Sequence, residues 1–565
     1  MKNKILRYTK RIIAQLILLA LMAAPAYAAV PPNSGTALDS VKPPTVQKEA
    51  QPSPDINVEK QAPAPGEDGE KIPVSAFHIS GESPVPTAEL LQLIQREAGK
   101  DMTLGELNSL AGKLTQYLRQ QGYLVAFAYI PSQDIKDGIV EIAIIPGKYG
   151  QVKIIGHSHM DPGRLQAMLF SAKPGTVINR EPLERALLLI SDLAGIRVKA
   201  TLAPGEAGGT ADLLLETADT AKTSGALYSD NWGNRYTGRI RYGAQITVNN
   251  VSGMGDTFNL GGLTTRQGIN NYNFGYSAPL GHDGAKININ YSHLDYTLGD
   301  TFADLDATGQ AIVTSYQVAY PFVRRRTLSL YGTLGYDRKQ LRDDIADYGS
   351  YSHRTSQSWK LGLSGIFADT WLGGGNNAFS LTHYRGHLYI NDMATRAYDA
   401  TTAQTNGHFA KTVMTWERQQ YVAQNLSFNF DFTGQLADKN LDSSEKLYLG
   451  GADGVRAYPQ GEASGDQGYK LMGELRWRLP GLSTAGSSFY LNTFYDYGNV
   501  MVNKRPYNGA GDNRRSLMGA GLGLLWVRGR DFAVRMDYAW KIGEDQTAAN
   551  RDKRGCFWLQ GVKYF

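Results

Sequence analysis

A guanidinium and a carboxylate forty residues apart are the two groups in this chain best suited to one specific contact. Arg456 lies in the glycine-flanked loop Gly454-Val455-Arg456-Ala457-Tyr458, and Asp496 lies in Leu491-Asn492-Thr493-Phe494-Tyr495-Asp496-Tyr497-Gly498. Alternate residues of a strand share a face. Leu491, Thr493, Tyr495 and Tyr497 therefore form a face that suits lipid, while Phe494, Asp496 and Gly498 point the other way. An inward carboxylate invites a cation, and Arg456 offers a planar, permanently charged partner able to make two parallel hydrogen bonds. Other chemistry is weakly signalled. His157 and His159 form a His-x-His without nearby cysteines, which reads as a turn. Gly519-Ala520-Gly521-Leu522-Gly523 lies in a strand run with no helix after it, which reads as small residues in a sheet and not as a dinucleotide loop. There is no Gly-x-x-x-x-Gly-Lys-Ser/Thr phosphate loop, and no local motif nominates a nucleophile. The chain is expected to have no catalytic residue, metal or cofactor.

The elements that must bring Arg456 to Asp496 begin with export. Lys2, Lys4, Arg7, Lys10 and Arg11 precede an apolar run from Ile12 to Ala24 and then Ala26-Tyr27-Ala28, the pattern of a signal peptide over residues 1–28. The run is shorter than the roughly 20 residues of a spanning helix. The signal holds five of the 58 basic residues and none of the 53 acidic ones, so 53 of each remain. That balance argues against a nucleic-acid partner, which needs a clustered positive surplus. No later stretch reaches 18 consecutive apolar residues, leaving a soluble periplasmic protein or a β-barrel. The sole cysteine, Cys556, excludes an intramolecular disulfide framework.

Residues 29–72 carry eight prolines among small and charged residues and read as an extended linker, with Asp39 able to cap a weak turn. Residues 73–148 then follow the order strand, helix, helix, strand, strand: Val74 to Ile79, Thr87 to Gln95, Thr103 to Gln121 opened by the capping box of Thr103 and Glu106, Val125 to Ile130, and Ile139 to Ile145. The order repeats over 149–217, with strands at Val152 to Ile155, Arg197 to Leu202 and Asp212 to Glu216 and helices at Pro162 to Leu169 and Arg180 to Leu193. Over 223–565 strict alternation replaces helical periodicity, as in Phe532, Val534, Met536, Tyr538 and Trp540 against Asp531, Arg535 and Asp537. A soluble sandwich would also alternate. The export signal, the aromatic residues of the apolar face and a terminal strand ending in Tyr564-Phe565 favour the membrane. At roughly 10 residues per spanning strand plus connections, these 343 residues hold about 14 to 18 strands.

With these features the chain resembles the transporter component of two-partner secretion systems, the TpsB family of ShlB/FhaC/HecB-like secretion-activation proteins, within the outer-membrane polypeptide transporters. The two repeated units are similar to POTRA (polypeptide-transport-associated) domains. Asp230-Asn231-Trp232-Gly233-Asn234-Arg235-Tyr236-Thr237-Gly238-Arg239 looks like the family's first-hairpin signature, and Asn250 to Asp256, Ser277 to Gly281 and Tyr320 to Arg326 match further segments. Val455-Arg456-Ala457-Tyr458 resembles the Val-Arg-Gly-Tyr tip of the sixth extracellular loop. Phe494, Asp496 and Gly498 fit the Phe-x-Asp-x-Gly strand that holds it. Ala457 stands where the family has glycine; if that position needed positive φ, the strain would be about 1 kcal/mol. Gly561 and Lys563 depart from the usual apolar pattern of the terminal strand.

The resemblance implies an all-β transmembrane barrel of about 16 antiparallel strands in the outer membrane, preceded by two periplasmic α+β POTRA domains. It implies as partner a large secreted exoprotein: a TpsA-like adhesin, cytolysin or contact-dependent toxin. Outer-membrane lipids and the barrel assembly machinery that inserts the chain complete the partners. Capture of an unfolded cargo at POTRA sheet edges and passage through the barrel would constitute secretion. An insertase for other barrels and a passive porin are the competing functions. The short POTRA array disfavours the first, and the presence of POTRA units disfavours the second.

Overall fold

The computed structural model describes residues 31–42, 56–59, 69–345, 350–508, 511–543 and 554–565. The signal peptide expected over 1–28 lies outside the described residues.

The first α+β unit packs helices Thr87–Ile94 and Leu104–Gln120 on a three-stranded sheet in the order Ala76–Gly81, Ile139–Ile145, Phe127–Tyr129. Leu107, Leu110, Leu114 and Leu118 recur at helical spacing and are buried against Val140, Ile142 and Ile144, the inward alternate residues of the central strand. The capping box forms as expected: Thr103 Oγ1 accepts from the Glu106 backbone N–H, and the Glu106 carboxylate accepts from that of Thr103. In the second unit, helices Pro162–Met168 and Arg180–Ser191 bury Leu183, Leu187 and Ile190 with Leu202, Leu213 and Leu215 of the sheet Ile196–Pro204, Thr210–Asp219 and Lys148–His157.

Residues 29–72 are not simply an extended linker. Ser34–Ser40 form a helix (α1), capped not by Asp39 but by Asn33, whose side chain accepts from the Thr36 N–H while the Thr36 hydroxyl bonds back to the Asn33 backbone N–H. So short a helix is marginal alone. It persists because it sits inside the barrel, where Ala37 joins a cluster with Ile269, Leu294, Ala311 and Leu341. Further on, Ile56–Val58 pairs in parallel with Ile196–Pro204 and adds a fourth strand to the second unit's sheet. Polar and proline-rich composition does not show that an edge or a lumen is waiting for a segment.

Sixteen antiparallel strands close into a barrel, from the first, Thr223–Asp230, to the last, Gly555–Tyr564. They pair with each other over Ala226 to Asp230 and Gln560 to Tyr564. Trp359, Leu361, Leu363, Phe557 and Leu559 point outward and are exposed, as a lipid-facing surface requires. The alternate residues face the lumen. The chain enters the first strand from the second α+β unit, so the turns near Asn250, Gly281 and Arg325 are on the periplasmic side.

That unit docks on these turns. Arg164 donates to the Gly281 carbonyl at 2.7 Å, and Arg324 grips both oxygens of Asp192 at 2.8 Å. Arg185 pairs with Asp283. Arg325 pairs with Glu181 and Arg326 with Glu184.

Candidate functional site

The eleventh barrel strand, Leu426–Ala437, and the twelfth, Gln467–Arg478, are joined by the sixth extracellular loop. Instead of extending outward, this loop turns into the lumen. Val455, Ala457 and Tyr458 are all fully buried, in a cluster with Leu449, Phe494, Val500 and Leu517. A loop carrying backbone polar groups into a barrel needs partners there, and the wall supplies them.

Arg456 and Asp496 meet. Arg456 Nη2 lies 2.7 Å from Asp496 Oδ1 and its Nε 2.8 Å from Oδ2, a bidentate pair, and the Arg456 backbone N–H donates to the same Oδ2 at 3.1 Å. Asp496 is fully buried and Arg456 only 3% exposed. The guanidinium also bonds Glu474 at 2.7 Å and approaches Asp537 at 3.8 Å, and it stacks 3.4 Å from the centre of the Phe494 ring. Arg535 pairs with Glu474 and Asp537, and Arg476 with Glu474. Three cations thus meet three carboxylates. Burial works against the charge of Arg456, but the hydrogen bond and charge of Asp496, with Glu474 and Asp537 behind it, hold its pKa above the ordinary arginine value. A buried charge of this kind is tolerated only where it is paired and hydrogen-bonded.

Small residues make the seat. The strand Ser487–Met501 carries Phe494, Asp496 and Gly498 on its lumen face, and Arg514–Arg528 runs beside it. A Cβ on Gly519 would stand 2.4 Å from that of Ala457, one on Gly521 2.3 Å from the Phe494 ring, and one on Gly523 2.0 Å from Asp537 Oδ1. Gly498 lies under Leu449 and Val455. Ala457 does not have positive φ, so the conditional strain does not arise; the room its methyl needs comes from Gly519.

The sequence pairs Arg456 with Asp496 but does not single out Glu474, Arg476 and Trp558, and does not connect Arg535 and Asp537 to the pair. Their signal is the inward charge alternating with apolar residues on neighbouring strands; which strands adjoin follows only from the closed order. Trp558, on the last strand, donates its indole N–H to the Arg456 carbonyl at 2.7 Å. His159, read as part of a turn, pairs with Asp219 at 2.5 Å. No metal-holding cluster occurs among the described residues.

Loop and helix interlock. Gln460 of the loop donates to Asp39 of α1 at 2.5 Å, and Ser443 donates to Asn33 at 2.9 Å. From the wall, Asp343 accepts from the Ser34 N–H at 2.7 Å. Arg241 holds Asp230 with two bonds of 2.7 and 2.9 Å and also reaches the Ser40 carbonyl at 2.7 Å. Glu445, at the base of the loop, is clasped by Lys339 at 2.7 Å and Lys411 at 2.9 Å.

The architecture is shared with known proteins. The profile of the ShlB-type POTRA domain matches residues 72–147, and that of the haemolysin secretion/activation protein ShlB/FhaC/HecB matches 209–525. The heme/hemopexin transporter protein HuxB of Haemophilus influenzae is 28% identical over 94% of this chain and 95% of its own. Among solved structures, CdiB from Escherichia coli superposes with a TM-score of 0.70 at 20% identity, covering 90% of this chain and 93% of that one. CdiB from Acinetobacter baumannii gives 0.61 at 18% identity and covers 99% of each. The profile matches span most of the chain, and they agree with a barrel of sixteen strands preceded by POTRA units: this chain belongs to the haemolysin secretion/activation protein family ShlB/FhaC/HecB and is a two-partner secretion transporter of the outer membrane.

Proposed function

We propose that Val455, Arg456, Ala457 and Tyr458 with Phe494, Asp496 and Gly498 form a lock that sets the secretion state of the barrel, and that the cargo is a large exoprotein arriving unfolded from the periplasm. The single observation that carries this reading is the burial of the Arg456 guanidinium among Asp496, Glu474 and Asp537 inside the lumen. A brace for the wall would not need to come from a loop tip that also grips the helix occupying the passage through Gln460 and Asp39. In the resting form loop and helix fill the lumen together, and both must shift before a chain can pass. Capture at POTRA sheet edges supplies the cargo, and its folding outside makes the step one-way without nucleotide hydrolysis. The transporter itself catalyses no reaction, and its own insertion depends on the barrel assembly machinery.

A relative matched over 95% of its own length is named a heme/hemopexin transporter, and two of the solved neighbours are CdiB. An adhesin, cytolysin or contact-dependent toxin fits the same route. Arg456→Ala separates lock from brace. It should leave folded barrel in the outer membrane, seen as heat-modifiable migration on a gel, while exoprotein release to the medium falls several-fold. Normal release from a normally inserted Arg456→Ala barrel would exclude the role in secretion.

A further inference from the structure

The lumen wall is divided by chemistry. On the side of the lock, the eleventh, twelfth, thirteenth and fifteenth strands turn Asp431, Lys470, Glu474, Asp496 and Arg535 inward. The second to sixth strands, Arg241–Asn249 through Ala307–Arg324, are different in their periplasmic half. One inward row, set by direct cross-strand pairing, reads Thr247, Asn259, Gly275, Asn290, Ser315. The next row outward reads Gln245, Gly261, Asn273, Ser292, Val313. The row nearer the periplasm is Asn249, Thr257, Ser277, Asn288, Gln317. None of these positions carries a charge.

The first two rows line a cavity of about 300 Å³. The glycines let its amides lie flat: a Cβ on Gly261 would stand 2.5 Å from Asn273 Oδ1, and one on Gly275 3.0 Å from Asn290 Oδ1. Thr247 donates to Asn259 at 2.7 Å. Gln245, Asn273, Asn290 and Ser315 make no side-chain hydrogen bond with another described residue. Their donors and acceptors face the lumen.

Position adds to composition. The turns that hold the second α+β unit, at Asn250 to Asp256, Gly281 to Asp283 and Arg324 to Arg326, connect the same strands. Just beyond the band toward the outside, those strands contribute Leu263, Ile269, Leu294 and Ala311 to the cluster that receives Ala37 of α1. The band therefore occupies the wall between the docked POTRA unit and the helix.

We infer that this uncharged amide and hydroxyl band is the surface along which the extended backbone of a polypeptide in transit slides. The inference rests on the polypeptide-transport reading. Asn and Gln side chains reproduce the donor and acceptor of a peptide group, so they pair with any backbone regardless of sequence. Neutral hydrogen bonds exchanged with water are each weak on balance, which allows release at every step. A charged wall would hold or repel segments according to their own charge. An oligosaccharide offers hydroxyls in place of alternating N–H and C=O groups and is the competing occupant.

The test uses full-length protein in lipid nanodiscs, with the photo-cross-linker p-benzoylphenylalanine replacing Asn273 or Asn290, or Glu417 or Asp431 on the opposite wall. The probe is an uncharged, flexible Gly/Ser/Asn peptide of about 30 residues. Because the band lies on the periplasmic side of α1, the probe reaches it with the helix in place. Cross-linking at 273 and 290 should exceed that at 417 and 431 by about fivefold, the factor one net hydrogen bond supplies. Asn259→Leu with Asn290→Leu should cut the yield at 273 by a similar factor in barrels that remain heat-modifiable; the single change Gln245→Leu, at the outer edge of the band, serves if the double change does not fold. Equal yields on both walls, a preference for 417 and 431, no cross-linking at all, or competition by maltoheptaose as effective as unlabelled peptide would each overturn the band. Exoprotein release from cells carrying Gln245→Leu is scored separately: release without a band preference leaves transport standing and removes only the track.

Discussion

Arg456 shows how a single residue is made to depend on many. Its charge is buried, so its stability rests on three carboxylates, a stacked Phe494 ring and a wall of glycines. Removing one side of such a buried pair typically costs about 3 to 5 kcal/mol, because the partners are left uncompensated. Glu445 is the acidic counterpart at the base of the same loop. Burial pushes its pKa up, but Lys339 and Lys411 outweigh this and hold it at about 2, against an ordinary 4.5. A depressed carboxyl contributes stability that is complete above its unfolded pKa and fades as pH falls through the folded one. The stability difference between wild type and Glu445→Gln should therefore be constant above about pH 4.5 and shrink toward pH 2, as followed by urea unfolding in micelles at a series of pH values. A difference independent of pH would mean that the lysines do not act through the ionised carboxylate. The Arg456 and Asp496 contact was legible because strand alternation fixes which way Asp496 points. The glycine seat was not, since Gly519, Gly521 and Gly523 look like ordinary small residues until the ring and carboxylate that need their space are placed above them.

At the level of elements, α1 is the instructive case. Its sequence, Ser34-Gly35-Thr36-Ala37-Leu38-Asp39-Ser40, has little helical drive, and it lies in a proline-rich stretch that reads as unstructured. The barrel supplies what the sequence lacks: apolar contacts for Ala37 and polar ones from Asp343, Arg241, Ser443 and Gln460. Long helices and alternating strands, by contrast, carry their periodicity with them, which is why Leu104–Gln120 and Ile139–Ile145 could be read directly. Gly35 gives α1 a tight seat. A Cβ there would lie 2.2 Å from Ser443 Oγ and 2.5 Å from the Ser444 backbone nitrogen. Backbone cannot yield as a flexible side chain can, so Gly35→Leu should expel the helix and leave the barrel intact. Single-channel recordings in planar bilayers should show a conductance several-fold above wild type. Unchanged conductance would show that the loop moves to accommodate the larger side chain.

For the whole molecule, the decisive arrangement is the attachment of the second POTRA unit to the periplasmic turns. Charge complementarity is visible in the sequence only as Arg324-Arg325-Arg326 on one side and Glu181, Glu184 and Asp192 on the other; without the fold nothing links them. Asp192 and Arg324 are partly exposed, so their bidentate pair contributes modestly, on the order of 1 kcal/mol, and less at high salt. Asp192→Ala should loosen the unit without altering the barrel: distances between spin labels on the POTRA unit and the barrel broaden, while barrel melting stays within a few degrees. Unbroadened distances would assign the docking to Arg164 and the packed turns instead. The closed barrel was only partly readable. Alternation gave strands and a range of counts, whereas closure is a property of the ring that no single strand contains. Closure also bears on how the protein is made. Trp558 belongs to the last strand, yet its indole holds the carbonyl of Arg456, which is synthesised a hundred residues earlier. The loop tip cannot reach its final contacts until the carboxy-terminal strand is in register, so assembly has a built-in order of completion. A barrel stalled before its last strand docks would lack its lock, and only a finished one would be sealed.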